Sequence, residues 1–254
     1  MVDMKSHITN HLRDLHLPTI RSLYEEHALT AVQESLGYEE YLYELLEREC
    51  EVRRHKKIER LLKESRLPLE KTLDSFDMKR LPRKDAQVVN SLLDGSFLER
   101  KENILSFGNP GSGKTHLLSA IGQELILRMG KRVYFTQCSL LVQELLNAKK
   151  ELKLARILKK FAKYDAIIID DIGYVQQSRE EMEVLFTLLA ERYERGSIML
   201  TSNLPFSKWE KIFKDPMVTA AAIDRLVHHC VVLELNVPSY RMEKAKSSKK
   251  EKGG

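Results

Sequence analysis

The most informative segment for the fold is Gly108-Asn109-Pro110-Gly111-Ser112-Gly113-Lys114-Thr115. It fits the phosphate-binding loop pattern G-x-x-x-x-G-K-[ST] at every fixed position. Glycines let the backbone adopt positive φ angles and bring its N–H groups close to phosphate oxygens. We expect Lys114 to reach the β- and γ-phosphates of a nucleoside triphosphate, and the Thr115 hydroxyl to bind Mg²⁺.

The segments on either side of the loop have the context that the motif requires. Residues 103–107 are short, apolar and compatible with a strand, and residues 115–129 carry leucines and isoleucines at helical spacing before Gly130. A strand before the loop and a helix after it distinguish a phosphate-binding loop from a glycine-rich surface turn. The helix also directs the positive end of its dipole at the phosphates.

Length and composition describe a soluble globular protein. The chain has 254 residues, of which 43% are hydrophobic and 31% charged, and no apolar run approaches the ~18 residues of a transmembrane helix. The N-terminus lacks the apolar core of a signal peptide, and three scattered cysteines favour reduced thiols, so we expect a cytoplasmic protein without membrane contact. We interpret the adjacent His228, His229 and Cys230 as packing residues of a strand and not as metal ligands.

Charge is distributed unevenly along the chain. The net charge of +5 combines an acidic segment at 1–47 (three Lys/Arg, nine Asp/Glu) with basic segments at 48–66, at 148–160 and from Arg241 onward. Local basic patches of this kind are what nucleic acid senses, more than the total charge.

The pattern predicts four regions: a helical domain at 1–66, a connector at 67–100, an α/β domain at 101–241 and a basic disordered tail at 242–254. The first contains one long helix from Tyr38 to about Lys63, and the connector a short helix at 85–93. We predict strands at 103–108, 132–136, 165–170, 197–202 and 230–235, alternating with helices at 115–129, 139–147, 149–163, 178–195 and 216–227. Such alternation predicts a five-stranded parallel sheet between helices, with ligands at the carboxyl ends of the strands.

Two carboxylates follow the apolar run at 166–169. We expect Asp170 to hold Mg²⁺, mostly through water, and Asp171 to orient or deprotonate an attacking water molecule. The alternative is a strand that ends in a simple Asp-Asp turn.

Two further residues complete a candidate hydrolytic site. Asn203 ends the strand at 197–202 and would lie near the γ-phosphate if that strand lies between the loop strand and the acidic strand; the alternative is a turn or helix cap. Arg225, on a short helix, is a candidate transition-state finger because a guanidinium spreads charge over phosphoryl oxygens. A structural salt bridge is the alternative, and Arg192 and Arg195 are rival candidates.

A basic face is predicted on the helix after Ala148. The residues that share it are Lys149, Lys153, Arg156, Lys160 and Lys163, opposite an apolar side that begins with Leu154 and Ile157. The face is either simply solvated or a sequence-independent track for the phosphates of duplex DNA.

With these elements in order, the chain resembles the AAA+ ATPases of the IstB/DnaC family, and most closely the IstB-type transposition helpers of insertion sequences. The matching residues cover nearly the whole chain: Glu47-Arg48-Glu49, Arg53, Gly113-Lys114-Thr115-His116-Leu117, Asp170-Asp171-Ile172-Gly173-Tyr174, Thr201-Ser202-Asn203, Trp209, Asp224-Arg225-Leu226 and Ser239-Tyr240-Arg241.

The resemblance implies an ATPase that uses ATP and Mg²⁺, assembles as a homo-oligomer on double-stranded DNA and recruits or activates the element's transposase. It implies that His116 joins the nucleotide-binding residues, that Asn203 is the first sensor and that Arg225 acts in trans on a neighbour's nucleotide. Arg241 is a weaker candidate for a second sensor. The resemblance favours the DNA track for the basic helix. A helicase loader of the same family and a small-molecule kinase are the alternatives.

The chain departs from the wider AAA+ pattern at two points. Asp171 stands where many members have Glu, which shortens the arm of the expected base. Only 13 residues follow Arg241, too few for a C-terminal helical lid, so we expect none.

Overall fold

The structure is a computed structural model that describes residues 3–173, 178–210 and 216–240, excluding the side chains of residues 216 and 218. The chain divides between Arg60 and Leu61 into two compact units. None of the described helices is both long and apolar enough to cross a membrane. The three cysteines are free thiols.

The first unit consists of helices. Helix α1 spans Met4–Asp14, α2 spans Pro18–Glu34, and α3 spans Tyr38–Ser65, so the unit boundary falls within α3. The Asp3 carboxylate caps α1 by accepting from the amide of Lys5. Pro18 begins α2, where its fixed φ suits the first helical position, and the chain leaves this helix through Ser35 in the left-handed conformation.

A buried carboxylate from α3 caps α2. The preceding residue, Leu17, offers no side-chain acceptor, and Glu49 accepts instead from the amides of Thr19 (2.8 Å) and Ile20 (3.1 Å). Arg53 donates to the same carboxylate at 2.8 Å and also to the carbonyl of His16. Burial alone raises the pKa of Glu49, but the bonds from Arg53, Ile20 and Thr19 outweigh it and leave the pKa lowered. The packing of α2 on α3 therefore depends on an ionised Glu49.

The second unit alternates strands and helices. A 3₁₀ turn at Met78–Arg80 and helices α4 (Arg83–Leu92) and α5 (Ser96–Glu99) precede the first strand. The elements that follow are β1 (Asn103–Gly108), α6 (Lys114–Met129), β2 (Val133–Gln137), α7 (Cys138–Lys150), α8 (Leu154–Phe161), β3 (Ala166–Ile172), α9 (Arg179–Arg192), β4 (Ser197–Ser202), a 3₁₀ turn at Phe206–Lys208, α10 (Pro216–Val227) and β5 (Cys230–Leu235). Three of the five predicted strands have the predicted bounds.

The strands form one parallel sheet in the order β2-β3-β4-β1-β5, which confirms the predicted fold class. Strand β4 lies between β1 and β3, as the placement of Asn203 required. In register, Phe107 of β1 pairs with Ser202 of β4. The β3–β4 register shifts between Ile169 and Ile172, so the two aspartates lie in an irregular, bulged part of β3.

Helices cover both faces of the sheet. On one face Ile167 and Ile169 pack in the apolar core with α7, α9 and α10. On the other face Ile168 packs against α6, where its Cδ1 is 2.9 Å from the position that a Cβ on Gly122 would occupy. Because neighbouring strand residues alternate between these faces, the buried β3 reads as an uninterrupted apolar run.

The single helix predicted at 149–163 is wrong. Helix α7 ends at Lys150, Leu152 has φ +56°, and α8 begins only after Lys153. Leu152 is 95% exposed at this break, which separates the apolar residues of α7 from those of α8. Lys149 lies on α7, Lys153 in the turn and Lys163 beyond α8, and the predicted single basic face is therefore not formed.

The interpretation of His228 and His229 as packing residues of a strand is also wrong. The strand β5 begins at Cys230, and the two histidines lie in the turn between α10 and β5. Both are exposed, and their ring centroids are 4.2 Å apart. The periodicity of a strand does not apply to residues in the turn before it.

Candidate nucleotide-binding site

The phosphate loop runs from the end of β1 to the start of α6, as its sequence pattern requires. Gly111 and Gly113 have φ angles of +81° and +102°, which favour glycine. A Cβ on Gly108 would meet the backbone carbonyl of Leu235, and one on Gly113 would lie 3.0 Å from the ring of Phe76. The loop backbone is thus closely enclosed on both sides, and only glycine fits at these positions.

Lys114 is buried and its amine turns back onto the loop. Its Nζ donates to the carbonyls of Gly108 (2.8 Å) and Asn109 (2.9 Å) and to Oδ1 of Asn203 (2.7 Å). The ammonium is thereby held over the concave side of the loop, where backbone N–H groups of successive residues converge.

Thr115 and Asp170 lie together at the carboxyl edge of the sheet. The Thr115 hydroxyl donates to Oδ1 of Asp170 at 2.8 Å, and the Thr201 hydroxyl donates to the same oxygen at 2.7 Å. Thr201 also accepts from the amide of Asp171 at 2.7 Å. Thr201 therefore fixes both aspartates, a role that the sequence analysis did not assign to it.

Asn203 links the loop to the second aspartate. Its Oδ1 accepts from Lys114 and its Nδ2 donates to Oδ1 of Asp171 at 2.9 Å. Asp171 has φ +65°, a left-handed conformation that is uncommon for a residue with a side chain. The structure thus brings together Lys114, Thr115, Asp170, Asp171 and Asn203, five residues that the sequence analysis placed in one site.

The residues present fit a phosphate and a magnesium ion. Within the described residues the buried Ser112 Oγ has no hydrogen-bond partner, and it lies in the loop where an anion would supply an acceptor. A threonine hydroxyl beside a carboxylate is the hard oxygen donor set that Mg²⁺ prefers.

A cavity of about 160 Å³ opens beside the loop. Its walls come from two segments that the sequence analysis did not assign to the site, at 71–81 and 237–240. The Arg80 guanidinium is 5.2 Å from the ring centroid of Tyr240 and donates to the carbonyl of Pro238 at 2.9 Å. The amide of Tyr240 donates to the carbonyl of Gly111 at 3.0 Å, which joins the second segment to the loop.

His116 connects α6 to the first of these segments. One ring nitrogen, Nε2, lies 2.9 Å from the carbonyl of Thr72 and 3.2 Å from Oγ of Ser75, and the ring stands edge-on to Phe76 at 5.3 Å. His116 also lines the cavity. Its position is that of a support for the cavity wall at Phe76.

The three candidate arginines have different surroundings. Arg192 is buried, and its Nη1 and Nη2 donate to the carbonyls of Phe161, Tyr164, Asp165 and Ser197 at 2.8–3.1 Å. Burial lowers the pKa of Arg192 to about 10. The Arg192 guanidinium is therefore held inside the fold between the end of α8, the turn before β3 and the start of β4. Arg195 is exposed and pairs with Glu191 at 2.7 Å.

Arg225 is not part of the loop site in this chain. Its guanidinium lies 4.8 Å from the ring centroid of Phe186, and Nη1 donates to the carbonyl of Ala221 at 3.0 Å. It lines a different surface depression, which it shares with Tyr193 and Glu194. Arg241 lies outside the described residues.

Most of the predicted DNA-contacting cations are engaged in ion pairs. Lys149 pairs with Glu183, Lys153 with Glu151 and Lys160 with Glu144, at 2.8–3.1 Å. Arg156 is exposed, and no ion pair of this residue occurs among the described parts of the chain. Of the four predicted DNA-contacting residues, Arg156 is therefore the best remaining candidate for a phosphate contact.

Comparison with known proteins identifies the family of this chain. The chain matches the family described as IstB-like ATP binding protein over residues 10–248. It is 45% identical to a putative insertion sequence ATP-binding protein of Sinorhizobium fredii, y4iQ/y4nD/y4sD, across 95% of this chain and 81% of that protein. It is 40% identical to the putative ATP-binding protein of insertion sequence IS5376 of Geobacillus stearothermophilus, across 98% and 99% of the two chains.

Solved structures share the fold of a large part of the chain. AMPPCP-bound DnaA from Aquifex aeolicus superposes with a TM-score of 0.56 at 22% identity, covering 74% of this chain and 56% of that one. The DnaC helicase loader gives a TM-score of 0.55 at 18% identity, covering 65% and 96%. These likenesses show an AAA+ fold. Because the family match spans nearly the whole chain, this protein belongs to the family of IstB-like ATP binding proteins.

Proposed function

We propose that this protein is an ATP-dependent helper of DNA transposition. ATP and Mg²⁺ bind at the loop between β1 and α6, ATP binding drives assembly of several copies on duplex DNA, and the assembly recruits or activates a transposase. Hydrolysis of ATP to ADP and phosphate then resets the assembly. The relatives are named as ATP-binding proteins of insertion sequences, which supports this context.

The observation that carries the proposal is the chain of hydrogen bonds from Lys114 through Asn203 to Asp171. A γ-phosphate competes with the loop carbonyls and with Asn203 for the Lys114 ammonium, because a phosphate oxygen is the stronger acceptor. When Lys114 turns to the phosphate, Asn203 loses its cationic partner and can accept from a water molecule. Binding of a γ-phosphate at the loop thereby changes the hydrogen bonding of Asn203, which contacts the Asp171 carboxylate beside that water.

The two aspartates have separate tasks in this scheme. Asp170, together with Thr115, holds Mg²⁺, which supplies positive charge beside the phosphoryl oxygens. Asp171 accepts a hydrogen bond from the attacking water and orients it in line with the leaving group. Thr201 keeps the Asp171 backbone at φ +65°, and so directs the short carboxylate arm toward the water.

The nucleotide base and ribose occupy the cavity beside the loop. Phe76 and Tyr240 supply aromatic surface there, and His116 supports the first of them. An aromatic wall suits a purine because stacked rings gain contact area without side-chain ordering.

Arg225 completes the hydrolytic site of a neighbouring subunit. Its position outside the loop pocket leaves it available to another copy, whereas Arg192 is buried. We expect Arg225→Ala to bind ATP and to lose hydrolysis by about 10³-fold or more. Mixing it with Lys114→Ala restores part of the activity, because some mixed interfaces combine an intact lysine with an intact arginine.

Arg195→Ala is the matched control for that experiment, since Arg195 is an exposed arginine paired on its own helix. It should hydrolyse ATP at the rate of the unmodified protein. If the mixture of Arg225→Ala and Lys114→Ala stays inactive while each variant still assembles with nucleotide, the trans role is refuted.

DNA contacts are assigned to the exposed side of α8, at Arg156 and the neighbouring Lys159. Charge reversal at Arg156 should weaken duplex binding and reduce the slope of log K against log salt by about one per lost phosphate contact. Lys149→Glu is the control, because Lys149 is neutralised by Glu183 and contributes less. Equal slopes for all three proteins would remove α8 from the interface.

Two experiments separate the helper from the alternatives. In a pull-down, the purified protein with a non-hydrolysable ATP analogue is tested for binding to the transposase and to the replicative helicase. Binding to the transposase indicates a role in transposition, and binding to the helicase indicates helicase loading. Incubation with labelled ATP separates both from a kinase, because a kinase transfers the phosphate to an acceptor whereas this protein releases it to water. DNA-stimulated release of phosphate supports the proposal.

A further inference from the structure

Three potential metal ligands meet at the amino ends of the sheet strands, on the edge opposite the phosphate loop. Glu194 lies in the turn before β4, and His228 and His229 lie in the turn before β5. One ligand atom from each of the three lies within 4.8 Å of the others, and all three residues are exposed. Ligands of a tetrahedral zinc ion, at about 2.1 Å from the metal, are roughly 3.4 Å apart, so rotation of the side chains closes the remaining distance.

The backbones of these two turns are fixed by one buried residue. The Asn103 side chain accepts from the amide of Ile198 at 2.8 Å and donates to the carbonyl of Leu226 at 3.1 Å. Its own amide donates to the carbonyl of His229 at 2.8 Å. Asn103 is 9% exposed, so these bonds are shielded from water. The two turns that carry the ligands are therefore held at a defined separation.

A tyrosine orients one of the histidines. The Tyr193 hydroxyl lies 2.9 Å from Nδ1 of His228 and can accept a hydrogen bond from it. In the tautomer that makes this bond, Nε2 of His228 has the free electron pair. Histidines that bind metals are commonly held by a hydrogen bond to the other ring nitrogen in this way.

The surrounding charges are mixed. Lys101 and Arg225 line the same depression as Glu194 and His229 and oppose a cation. Asp224, whose backbone carbonyl accepts from the amide of His228 at 3.0 Å, adds a negative charge nearby that favours a cation. This balance excludes a site that works by negative charge alone, as for Ca²⁺, and favours a metal that binds imidazole nitrogen.

We propose that Glu194, His228 and His229 bind a divalent transition-metal ion of the zinc class, with water as the remaining ligand and Tyr193 as the residue that positions His228. The site is separate from the Mg²⁺ site at Thr115 and Asp170. A metal ion bound here would link the turn before β4 to the turn before β5. The second turn follows α10, the helix that carries Arg225.

Cobalt titration of the full chain tests the proposal, because Co²⁺ replaces zinc and gives visible absorbance that reports coordination. His7 and His11 have ring centroids 6.3 Å apart on α1 and form a second potential metal site, so the titration uses a His7→Ala/His11→Ala background. We expect one equivalent of Co²⁺ to bind, with displacement by Zn²⁺. His228→Ala and His229→Ala should each abolish the visible bands, and Tyr193→Phe should weaken binding by about tenfold.

Cys230→Ser is the control variant, because Cys230 follows the ligands directly and is the nearest competing thiol. It should leave the titration unchanged. The thermal midpoint of each variant without metal shows whether the fold is retained. Retained Co²⁺ bands in both histidine variants, or no saturable binding in the His7→Ala/His11→Ala background, overturns the proposal.

Discussion

Replacing Thr201 by valine removes one hydroxyl and leaves the shape of the side chain unchanged. Thr201 is 1% exposed, and its hydroxyl donates to Asp170 at 2.7 Å and accepts from the Asp171 amide at 2.7 Å. Valine fills the same volume, so no cavity contributes to the effect. We expect Thr201→Val both to destabilise the second unit and to slow hydrolysis, because both aspartates lose their common partner.

The magnitude follows from the two lost bonds. A hydrogen bond to a charged group contributes about 1.5–3 kcal/mol, and a buried amide left without a partner costs about 1–3 kcal/mol. Asp170 keeps its bond from Thr115, which reduces the first figure. We expect a loss of about 2–4 kcal/mol in the free energy of unfolding. Misplacement of the Asp171 carboxylate should lower the rate of hydrolysis by about 10²-fold.

The protein contains its own reporter for the assay. Trp209 is the single tryptophan of the chain, is fully buried in the second unit and donates to the carbonyl of Leu204 at 3.1 Å. Its fluorescence in a urea titration therefore reports unfolding of that unit, without a contribution from residues 1–60. Steady-state hydrolysis at saturating ATP is measured well below the unfolding midpoint.

Two variants make the test specific. Thr136→Val changes a buried threonine of β2, two strands away in the same sheet, whose hydroxyl donates to the adjacent Gln137 carbonyl at 3.2 Å, and should cost less than about 1 kcal/mol. Thr201→Ser keeps the hydroxyl and should restore most of the hydrolysis. The reasoning is refuted if Thr201→Val unfolds and hydrolyses like Thr136→Val, or if the serine variant is as slow as the valine variant.

Three further predictions concern the cap, the loop and the buried arginine. Because folding lowers the pKa of Glu49, its carboxylate stabilises the folded protein above the unfolded pKa of 4.5, and this stabilisation is lost as the pH falls through the folded pKa. Glu49→Gln should therefore lower the free energy of unfolding at neutral pH and make it less dependent on acid pH. Circular dichroism at several pH values measures both effects. Gly113→Ala should weaken binding of a fluorescent ATP analogue by at least about tenfold, and adding Phe76→Ala should recover only part of it, since the φ of +102° still disfavours a side chain. Arg192→Met should lower the free energy of unfolding by about 3–5 kcal/mol because buried carbonyls lose their donor, whereas Arg195→Ala should change it by less than about 0.5 kcal/mol in the same urea titration.

Much of the fold could be predicted from the sequence because its information is local. The loop pattern spans eight consecutive residues, and buried parallel strands read as apolar runs that end in polar residues. The interruption between α7 and α8 at Leu152 could not be predicted from the sequence, since every residue from Lys149 to Lys163 is compatible with a helix. The interruption is visible only in the structure, where Leu152 has a φ of +56° between α7 and α8.

The roles of the arginines illustrate where sequence reasoning stopped. Arg192 and Arg225 both lie near the ends of helices of the same domain, and nothing in their neighbourhood along the chain separates them. The structure buries Arg192 among four backbone carbonyls and leaves Arg225 against an aromatic ring at the surface. The environment of a charged side chain comes from residues distant in sequence, so its burial is a tertiary property.

A phosphate-binding loop, a parallel sheet and acidic residues at a strand end can all be predicted from the amino-acid order, because each follows from short-range spacing and side-chain chemistry. How these parts meet is visible only in the folded protein. The strand order places β4 between β1 and β3, and so brings Asn203 to both Lys114 and Asp171, which are 89 and 32 positions away. The packing of the segments at 71–81 and 237–240 beside the loop also places Phe76 and Tyr240 in the cavity wall. Contacts between residues so far apart depend on how the elements pack, and no local pattern specifies that.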